Sequence, residues 1–311
     1  MLGAKEVQLA QLVDTRDATQ LFAEVARVFS LSYGQQSAEA LKQAFAETRR
    51  LFEGQFPGYR ACNSEYHDLR HTLSVVLAAS RLADGYNLKH SPLPQELALD
   101  LLRAAFLHDS GYIQESWDTE GTGAKHLRQH EQRGIGFLKR HHQAFGIPAE
   151  VLERLARFIR STDLKEVFAE IPFAGEAERD AGAILGTADL IGQMSDRDYL
   201  ERLLFLYYEF REAGVPGFET EFDVLRKTGD FYTLTRRRLK ETYLSLYALA
   251  RTHFRERHGV DANLYLIAIS RQMGYLRRII QDQSTNFRAK LKRGDRERRE
   301  QLSQRSGPAG G

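Results

Sequence analysis

Apolar residues recur along this chain every three or four positions, which is the spacing of an amphipathic α-helix rather than of a β-strand. Residues 37–55, for example, place Leu41, Phe45 and Leu51 among the apolar positions of one such segment. Only 7 prolines occur, and they cluster between the periodic segments. The sequence therefore predicts an all-α fold. The predicted helices cover residues 17–30, 37–55, 66–82, 96–108, 125–141, 148–160, 178–191, 197–213, 230–258 and 261–291, with a loop over residues 85–94.

The periodic segments group into four regions, without an internal repeat. Residues 1–59 are predicted to form a helical cover, and residues 60–195 a multi-helix core. Residues 196–291 are predicted to be a C-terminal helical region that packs on this core. Residues 292–311 alternate in charge and then become rich in Ser, Gly and Pro, with almost nothing apolar to bury. We therefore predict a disordered tail there.

Composition limits the classes of function. The 311 residues include 44 Lys and Arg against 42 Asp and Glu, so the net charge of +2 gives no reason to expect a nucleic acid or an anionic membrane as partner. No segment contains the run of about 20 apolar residues that crosses a bilayer. The single cysteine, Cys62, cannot form an intramolecular disulfide, and the N-terminus lacks a signal-peptide pattern. We expect a cytoplasmic protein.

Two carboxylates occupy positions where the pattern predicts burial. The segment over residues 96–108 is apolar on most sides, as in a central helix of a bundle, and it ends at His108 and Asp109. Asp189 lies within the apolar run AGAILGTADLIG, with no adjacent Lys or Arg. A buried carboxylate is costly unless it is paired or binds a cation. The two acids therefore predict a shared cation, although a hydrogen-bonded His-Asp pair is the simpler reading of residues 108 and 109 alone.

Histidines nearby complete a candidate metal site. His67 and His71 are spaced i, i+4, so on a helix both imidazoles would project from one face. Imidazole and carboxylate ligands suit Zn, Mn, Fe or Mg, and helices of a bundle commonly each contribute one or two ligands. The predicted metal ligands are His71, His108, Asp109 and Asp189. The candidates for a second metal or a phosphate-binding rim are His130, Asp163 and His126, although Asp163 also fits an ordinary turn and His126 a solvent-exposed position.

At these residues the sequence resembles the HD-domain superfamily of metal-dependent phosphohydrolases, and most of all the catalytic domain of the cyclic-nucleotide phosphodiesterases. The Tyr-His-Asn-x-x-His motif of those enzymes is matched by residues 66–71, with Asp68 in place of Asn. The segments IRSTDL, which contains Asp163, and TADL, which contains Asp189, resemble two later motifs. The resemblance covers about residues 60–195. It departs after His108 and Asp109, where Ser110, Gly111 and Tyr112 replace a further His, Pro and Gly.

The resemblance implies hydrolysis of a phosphodiester, with a cyclic nucleotide as the expected substrate. One or two divalent metals would activate a water molecule, and Asp109 would bridge two metals if both are present. His67 corresponds to the general acid that protonates the departing alkoxide. Tyr66 and Gln193 are candidates for substrate binding, because the glutamine that clamps the purine in that family has no certain counterpart here. Gln272 is a second candidate for that role.

Two other functions fit the same residues. A nucleotide phosphomonoesterase or triphosphohydrolase would use the same metal cage on a different phosphate ester. A catalytically idle metal-binding module, in which the C-terminal third mediates sensing or interaction, belongs to another class. The partner expected from the first two functions is a small phosphorylated substrate, and the sequence leaves the oligomeric state open.

Overall fold

The computed structural model describes residues 7–282 and 287–291. Helices dominate these residues and no strand occurs among them, apart from one isolated bridge between Tyr59 and Glu115. The predicted all-α, multi-helix architecture is confirmed. The helices are α1 Leu9–Leu12, α2 Ala18–Tyr33, α3 Gln35–Phe52, α4 Leu69–Lys89, α5 Gln95–Leu107, α6 His130–His141, α7 Leu152–Arg160, α8 Glu176–Met194, α9 Tyr199–Glu212, α10 Glu221–Arg237, α11 Leu249–His258, α12 Leu264–Gln281 and α13 Phe287–Leu291.

Helices α4, α5 and α8 form the centre of the fold. They are apolar on most sides because α4 packs on α2, α5, α8 and α11, while α5 and α8 also pack on each other and on α7. One hydrophobic core runs from Leu21 in α2 to Leu291 in α13. Gly192 of α8 lies against the backbone of Ser74 in α4, since a Cβ atom there would be 3.3 Å from the Ser74 carbonyl oxygen. This close approach brings Asp189, one turn before Gly192, towards His71, one turn before Ser74.

Polar side chains fix where the helices that carry the site begin. The carboxylate of Asp68 accepts a hydrogen bond from the His71 amide at 2.8 Å and so caps α4. Helix α10 starts with a capping box in which Thr220 and Asp223 bond each other's backbone amides. The sequence-based start of this helix, residue 230, was wrong, because the capping pair adds more than two turns before it.

Two predicted segments begin later than expected. The loop predicted over residues 85–94 was wrong at its start, since α4 continues through Gly85 to Lys89. A Cβ at Gly85 would lie 2.2 Å from the Leu249 carbonyl oxygen, so this glycine serves close packing against α11 rather than a turn. The helix predicted over residues 125–141 begins only at His130, after a short 3₁₀ turn over Gly123–His126.

The helix predicted over residues 230–258 is two helices. After α10 the chain forms a π-helical turn, Arg238–Thr242, and then places Leu244 and Ser245 at positive φ. The guanidinium of Arg238 donates to the carbonyls of Asp163 and Leu164, and the Tyr243 hydroxyl donates to the Ser161 carbonyl at 2.6 Å. These bonds to a distant loop override the local helical pattern. The helix predicted over 261–291 stops at Gln281, and the tail predicted at 292–311 lies outside the described residues.

Across the described residues, no helix has the length and apolar content needed to cross a membrane.

A buried polar clamp joins two helices inside the fold. Asp84 of α4 accepts a hydrogen bond from Nδ1 of His253 in α11 at 2.7 Å, and from the guanidinium of Arg257 at 2.8 Å. His253 is therefore a structural residue.

Candidate metal centre and the adjoining cavity

The four predicted metal ligands converge from three helices. His71 projects from the first turn of α4, His108 and Asp109 stand at the end of α5, and Asp189 projects from α8. His71, His108 and Asp109 each offer a ligand atom, and these atoms lie within 4.8 Å of one another. All three are buried. The structure thus brings together residues that are up to 118 positions apart in the sequence.

The distances between ligand atoms fit a shared ion. Nε2 of His71 lies 3.1 Å from Oδ2 of Asp109 and 3.4 Å from Oδ1 of Asp189. Nε2 of His108 lies 3.3 Å from Asp109 Oδ2, 3.4 Å from His71 Nε2 and 3.8 Å from Asp189 Oδ1. Two ligands that are each about 2.1 Å from a zinc-like ion stand roughly 3.0 to 3.4 Å apart. Asp189 fits less closely, because its Oδ1 lies 3.8 Å from His108 Nε2 and it is not part of the group within 4.8 Å, so it would need to move towards the other ligands.

Hydrogen bonds leave the lone pair of His108 free to bind a metal. Its Nδ1 lies 2.8 Å from the Ala105 carbonyl oxygen, which can only accept, so Nδ1 carries the proton and Nε2 the lone pair in the neutral ring. Oδ2 of Asp109 is buried and accepts no hydrogen bond in this structure. An unpartnered buried carboxylate oxygen is costly, and a cation relieves that cost. The donor set therefore fits a hard or borderline divalent ion.

The imidazoles and carboxylates of this cluster shift one another's pKa. Burial by itself lowers the pKa of His71, but the carboxylates of Asp109 and Asp189 together raise it to about 10. Burial works in the opposite direction on Asp109, and the neighbouring His108 and His71 hold its pKa well below the ordinary range. In the metal-free protein a proton thus takes the place of a cation among these groups.

His130 faces the other oxygen of Asp109. Its Nε2 lies 3.6 Å from Asp109 Oδ1, and its Nδ1 donates to the Leu127 carbonyl at 2.9 Å, which again leaves the lone pair on Nε2. Burial lowers the pKa of His130 to about 4, so the ring is neutral at pH 7. Asp109 thus lies between the imidazole of His130 on one side and those of His71 and His108 on the other.

The other two candidates for a second metal or a phosphate-binding rim differ in position. Asp163 lines the cavity beside the cluster, and its carboxylate also accepts a hydrogen bond from the Lys165 amide at 2.8 Å, as in an ordinary turn. His126 pairs with Asp118 at 3.3 Å and is not among the residues that line the cavity. The predicted helix over residues 125–141 would have put His126 and His130 on one face, but the chain between them is not α-helical.

His67 is held by a carboxylate that the sequence analysis did not single out. His67 precedes the start of α4 rather than lying on it, yet its ring centroid is 5.7 Å from that of His71. Nδ1 of His67 lies 2.6 Å from Oε2 of Glu209 in α9, and Oε1 of Glu209 accepts from the Tyr66 amide at 2.8 Å. Although burial opposes it, His67 lowers the pKa of Glu209, which stays ionised. Because a carboxylate can only accept, Nδ1 of His67 carries a proton and the ring is held in one orientation.

Tyr112 is the second residue of the site that was missed. Its buried ring is stacked between His67, at a centroid distance of 4.3 Å, and His130, at 4.4 Å. Its hydroxyl lies 3.5 Å from His67 Nε2. Gly111, just before it, allows this packing, because a Cβ there would be 1.8 Å from the His130 carbonyl oxygen. The residues after the His-Asp pair that differ from the phosphodiesterase pattern thus build a ring stack.

Asp68, the other departure from that pattern, is neutralised outside the cluster. Besides capping α4, its carboxylate forms two hydrogen bonds with the Arg202 guanidinium, at 2.9 and 3.0 Å. Burial lowers the pKa of Arg202, but the charge of Asp68 more than restores it. Asp68 therefore contributes to the site by holding the backbone in place at His67 and His71.

A cavity of about 280 Å³ opens beside the cluster. His67, His71, Asp109, Tyr112, His130 and Asp189 line one end of it, together with Glu131, whose burial raises its pKa to about 7. Tyr66 and Gln193 also line the cavity, and the Tyr66 hydroxyl donates to Gln193 Oε1 at 2.6 Å. Gln272 instead donates to the carbonyls of Asp196 and Arg197 and is not among the lining residues. Residues of helices α9 and α10 also line the cavity.

Comparison with known proteins gives a partial likeness. The sequence model of the Npun_R2479-like family, whose description names no activity, matches residues 129–267. This stretch is under half of the chain, and it contains His130, Asp163, Asp189 and Glu209 but not His71, His108 or Asp109. No curated protein matches the chain. The chain is thus similar to the Npun_R2479-like family over the part that supplies His130, Asp189 and helices α9 and α10.

Proposed function

We propose that this protein is a metal-dependent hydrolase of phosphate esters, with phosphodiesters as its first substrates. The observation that carries the proposal is the unpartnered, buried Asp109 Oδ2 between His71 and His108, at the end of an open cavity. A divalent ion held by His71, His108, Asp109 and Asp189 would supply Lewis-acid activation of water and of a phosphoryl oxygen. Asp109 Oδ1 and His130 would hold a second ion, if one is bound.

The chain's own residues account for the proton transfer. In the proposed reaction, a water oxygen forms a bond to phosphorus while the bond from phosphorus to the ester oxygen breaks. The leaving alkoxide takes a proton from Nε2 of His67, which lines the cavity. Glu209, at 2.6 Å from Nδ1, stabilises the protonated imidazole before transfer and orients the ring. Tyr112 and Tyr66 pack against the same ring and restrict its rotation.

The substrate that the phosphodiesterase resemblance implies is a cyclic nucleotide. Because the Tyr66 hydroxyl occupies the amide oxygen of Gln193, the amide NH₂ group of Gln193 is the one offered to a ligand. A phosphomonoester or a nucleoside triphosphate would use the same ions and the same His67. We place the reaction in the cytosol, where the buried thiol of Cys62 stays reduced.

The test is an activity screen with defined metal content. The purified chain is stripped of metal and reloaded separately with Mn²⁺, Mg²⁺, Zn²⁺ or Fe²⁺, and each form is given bis(p-nitrophenyl) phosphate, a cyclic nucleotide, a nucleoside monophosphate and a triphosphate. We expect metal-dependent hydrolysis of at least one diester, which Asp109→Asn abolishes. Full metal occupancy without hydrolysis of any ester would instead support the idle, metal-binding module.

A further inference from the structure

Helices α9 and α10 add apolar side chains to the lining of the cavity. Helix α9 contributes Leu203, Leu206 and Phe210, which are spaced i, i+3, i+7. Helix α10 contributes Val224 and Phe231, spaced i, i+7, to the same side. Two helical stripes therefore meet as one continuous apolar surface, which we call the α9/α10 wall. Nothing in the proposed hydrolysis uses this surface.

Two polar side chains on this wall each form a hydrogen bond within the protein. The Thr228 hydroxyl donates to the Val224 carbonyl at 2.7 Å, as a buried threonine on a helix commonly does. The Lys227 ammonium donates to the Gly217 carbonyl and lies 4.6 Å from the centre of the Phe218 ring. A ligand with several hydroxyl groups would lose its bonds to water here without full replacement, and such a loss is costly. The wall therefore disfavours a sugar.

The apolar lining reaches the protein surface at one residue. Leu164 lines the cavity and is 49% exposed, so an apolar side chain of the cavity is also in contact with solvent.

The volume limits the ligand. Sites for drug-sized ligands occupy roughly 300 to 1,000 Å³, and this cavity of about 280 Å³ falls just below that range. Part of the space adjoins the metal ligands and would be taken by the phosphoryl group. The remainder suits one aromatic ring or a short alkyl chain.

We propose that the substrate is a phosphate ester of a small apolar alcohol, whose organic group lies against the α9/α10 wall. This inference rests on the proposed function, and it narrows the substrate class away from the nucleotides that the sequence implies. Water adds across the bond between phosphorus and the ester oxygen. The products are a phosphate, or a phosphate monoester from a diester, and the apolar alcohol, which carries the proton given by His67.

Binding of non-hydrolysable phosphonates tests the wall independently of turnover. Calorimetry on the metal-loaded protein compares methylphosphonate, phenylphosphonate and adenosine 5′-monophosphate. We expect phenylphosphonate to bind at least about tenfold more tightly than methylphosphonate, since a ring in an apolar pocket is worth at least that factor. We expect adenosine 5′-monophosphate to bind more weakly than phenylphosphonate. The reverse order for these two would overturn the proposal.

Variants on both helices locate the effect. Phe231→Ala and Leu206→Ala remove apolar surface from the wall, and each should reduce the preference for phenylphosphonate by about tenfold. Their matched controls are Tyr232→Ala and Leu204→Ala, which alter neighbouring half-buried residues that do not line the cavity. Thermal midpoints close to that of the parent show that each variant is folded. If the wall variants bind both phosphonates as the controls do, the proposal fails.

The two proposals can fail separately. Hydrolysis of nucleotides without hydrolysis of aryl or alkyl esters would leave the proposed function standing and sink the substrate class. In the opposite case, the protein prefers phenylphosphonate, loses this preference in Phe231→Ala and hydrolyses no ester. That result would contradict the proposed function but support binding of an apolar ligand at this wall.

Discussion

Two buried clusters of histidine and aspartate each include one residue of helix α4. The clusters differ in how the aspartate is neutralised. Asp84, near the C-terminal end of the helix, accepts hydrogen bonds from His253 and Arg257. Asp109 meets His71, at the other end of the helix, and His108, at distances that suit ligands of one ion. Among the described residues, the ion pairs of Asp109 and Asp189 are all with histidines.

The comparison shows what an arginine does to a buried carboxylate. A guanidinium brings a fixed charge and several donors, so Asp84 is paired as it stands. Burial works against the charged form of Asp84, yet the bonds from His253 and Arg257 keep its pKa lowered. Asp109 has only imidazoles, which bind either a proton or a metal. Both carboxylate oxygens of Asp84 therefore accept hydrogen bonds, whereas Oδ2 of Asp109 accepts none and is left for a cation.

The largest expected effect comes from removing the metal-binding carboxylate. Asp109→Asn should lower kcat/KM for the best diester by at least roughly 1,000-fold, because the electrostatic stabilisation that depends on the ion is lost. Asp84→Asn changes the other cluster and should leave kcat/KM within about threefold of the parent in steady-state assays. Similar losses in both variants would show that the difference between the clusters is not functional.

His67 separates proton transfer from metal binding within the first cluster. His67→Ala should lower kcat by about 10² to 10⁴-fold, the range for a general acid, while metal content stays as in the parent. Glu209→Gln should cause a smaller loss, because the imidazole remains but is less well oriented. Rate assays combined with metal analysis check both variants. A parallel loss of ions and turnover in His67→Ala would contradict its acid role.

The clamp should dominate stability instead. Asp84→Ala leaves Arg257 and His253 without their buried partner, which costs about 3 to 5 kcal/mol in the free energy of unfolding. Urea unfolding, monitored by circular dichroism, measures this change. Asp180→Ala, which removes a less buried carboxylate bonded to Tyr86, is a suitable control with a smaller effect. An Asp84→Ala protein as stable as the control would mean that the clamp contributes little.

Metal removal should act on one cluster only. At a free ion concentration of 100 times Kd, binding stabilises the folded state by about 2.7 kcal/mol, so a chelator should lower the thermal midpoint by several degrees. The Asp109→Asn variant should show no such shift. Differential scanning fluorimetry with and without chelator measures the difference, and an equal shift in both proteins would point to ions bound elsewhere.

The smallest effect is a pH dependence near the clamp. Burial, His253 and Arg81 lower the pKa of His258 from 6.5 to about 4. The unfolded chain then binds more protons than the folded one between these values, so stability falls as pH drops from about 6.5 to about 4. In metal-free protein, His258→Gln should make the thermal midpoint less sensitive to pH across this window. An unchanged pH profile would show that His258 does not contribute.

The metal ligands could be predicted from the sequence because the signal for them is local. Asp109 and Asp189 each stand in an apolar run without a nearby cation, and this contrast is visible without knowing the fold. Glu209 gives a weaker signal, since it lies between Tyr208 and Phe210 but Arg211 follows two positions later. Its partner, His67, is 142 residues away, so the pairing depended on how α9 packs on the core.

The fold class followed from periodicity, whereas several helix ends did not. The interruption after Arg237 depends on bonds from Arg238 and Tyr243 to the loop near residue 163, which the local sequence does not reveal. Gly85 was taken for a turn, although it marks a close contact between α4 and α11. The metal-binding function and its substrate stay predictions, and so do the boundaries drawn at residues 59, 195 and 291.

An anomalous-diffraction map of crystals grown with Mn²⁺ or Zn²⁺ tests the central claim most directly. The account predicts a peak bounded by Nε2 of His71, Nε2 of His108, Oδ2 of Asp109 and Oδ1 of Asp189, and no peak beside Asp84. A map without density among those four atoms, from crystals soaked at saturating metal, would contradict it.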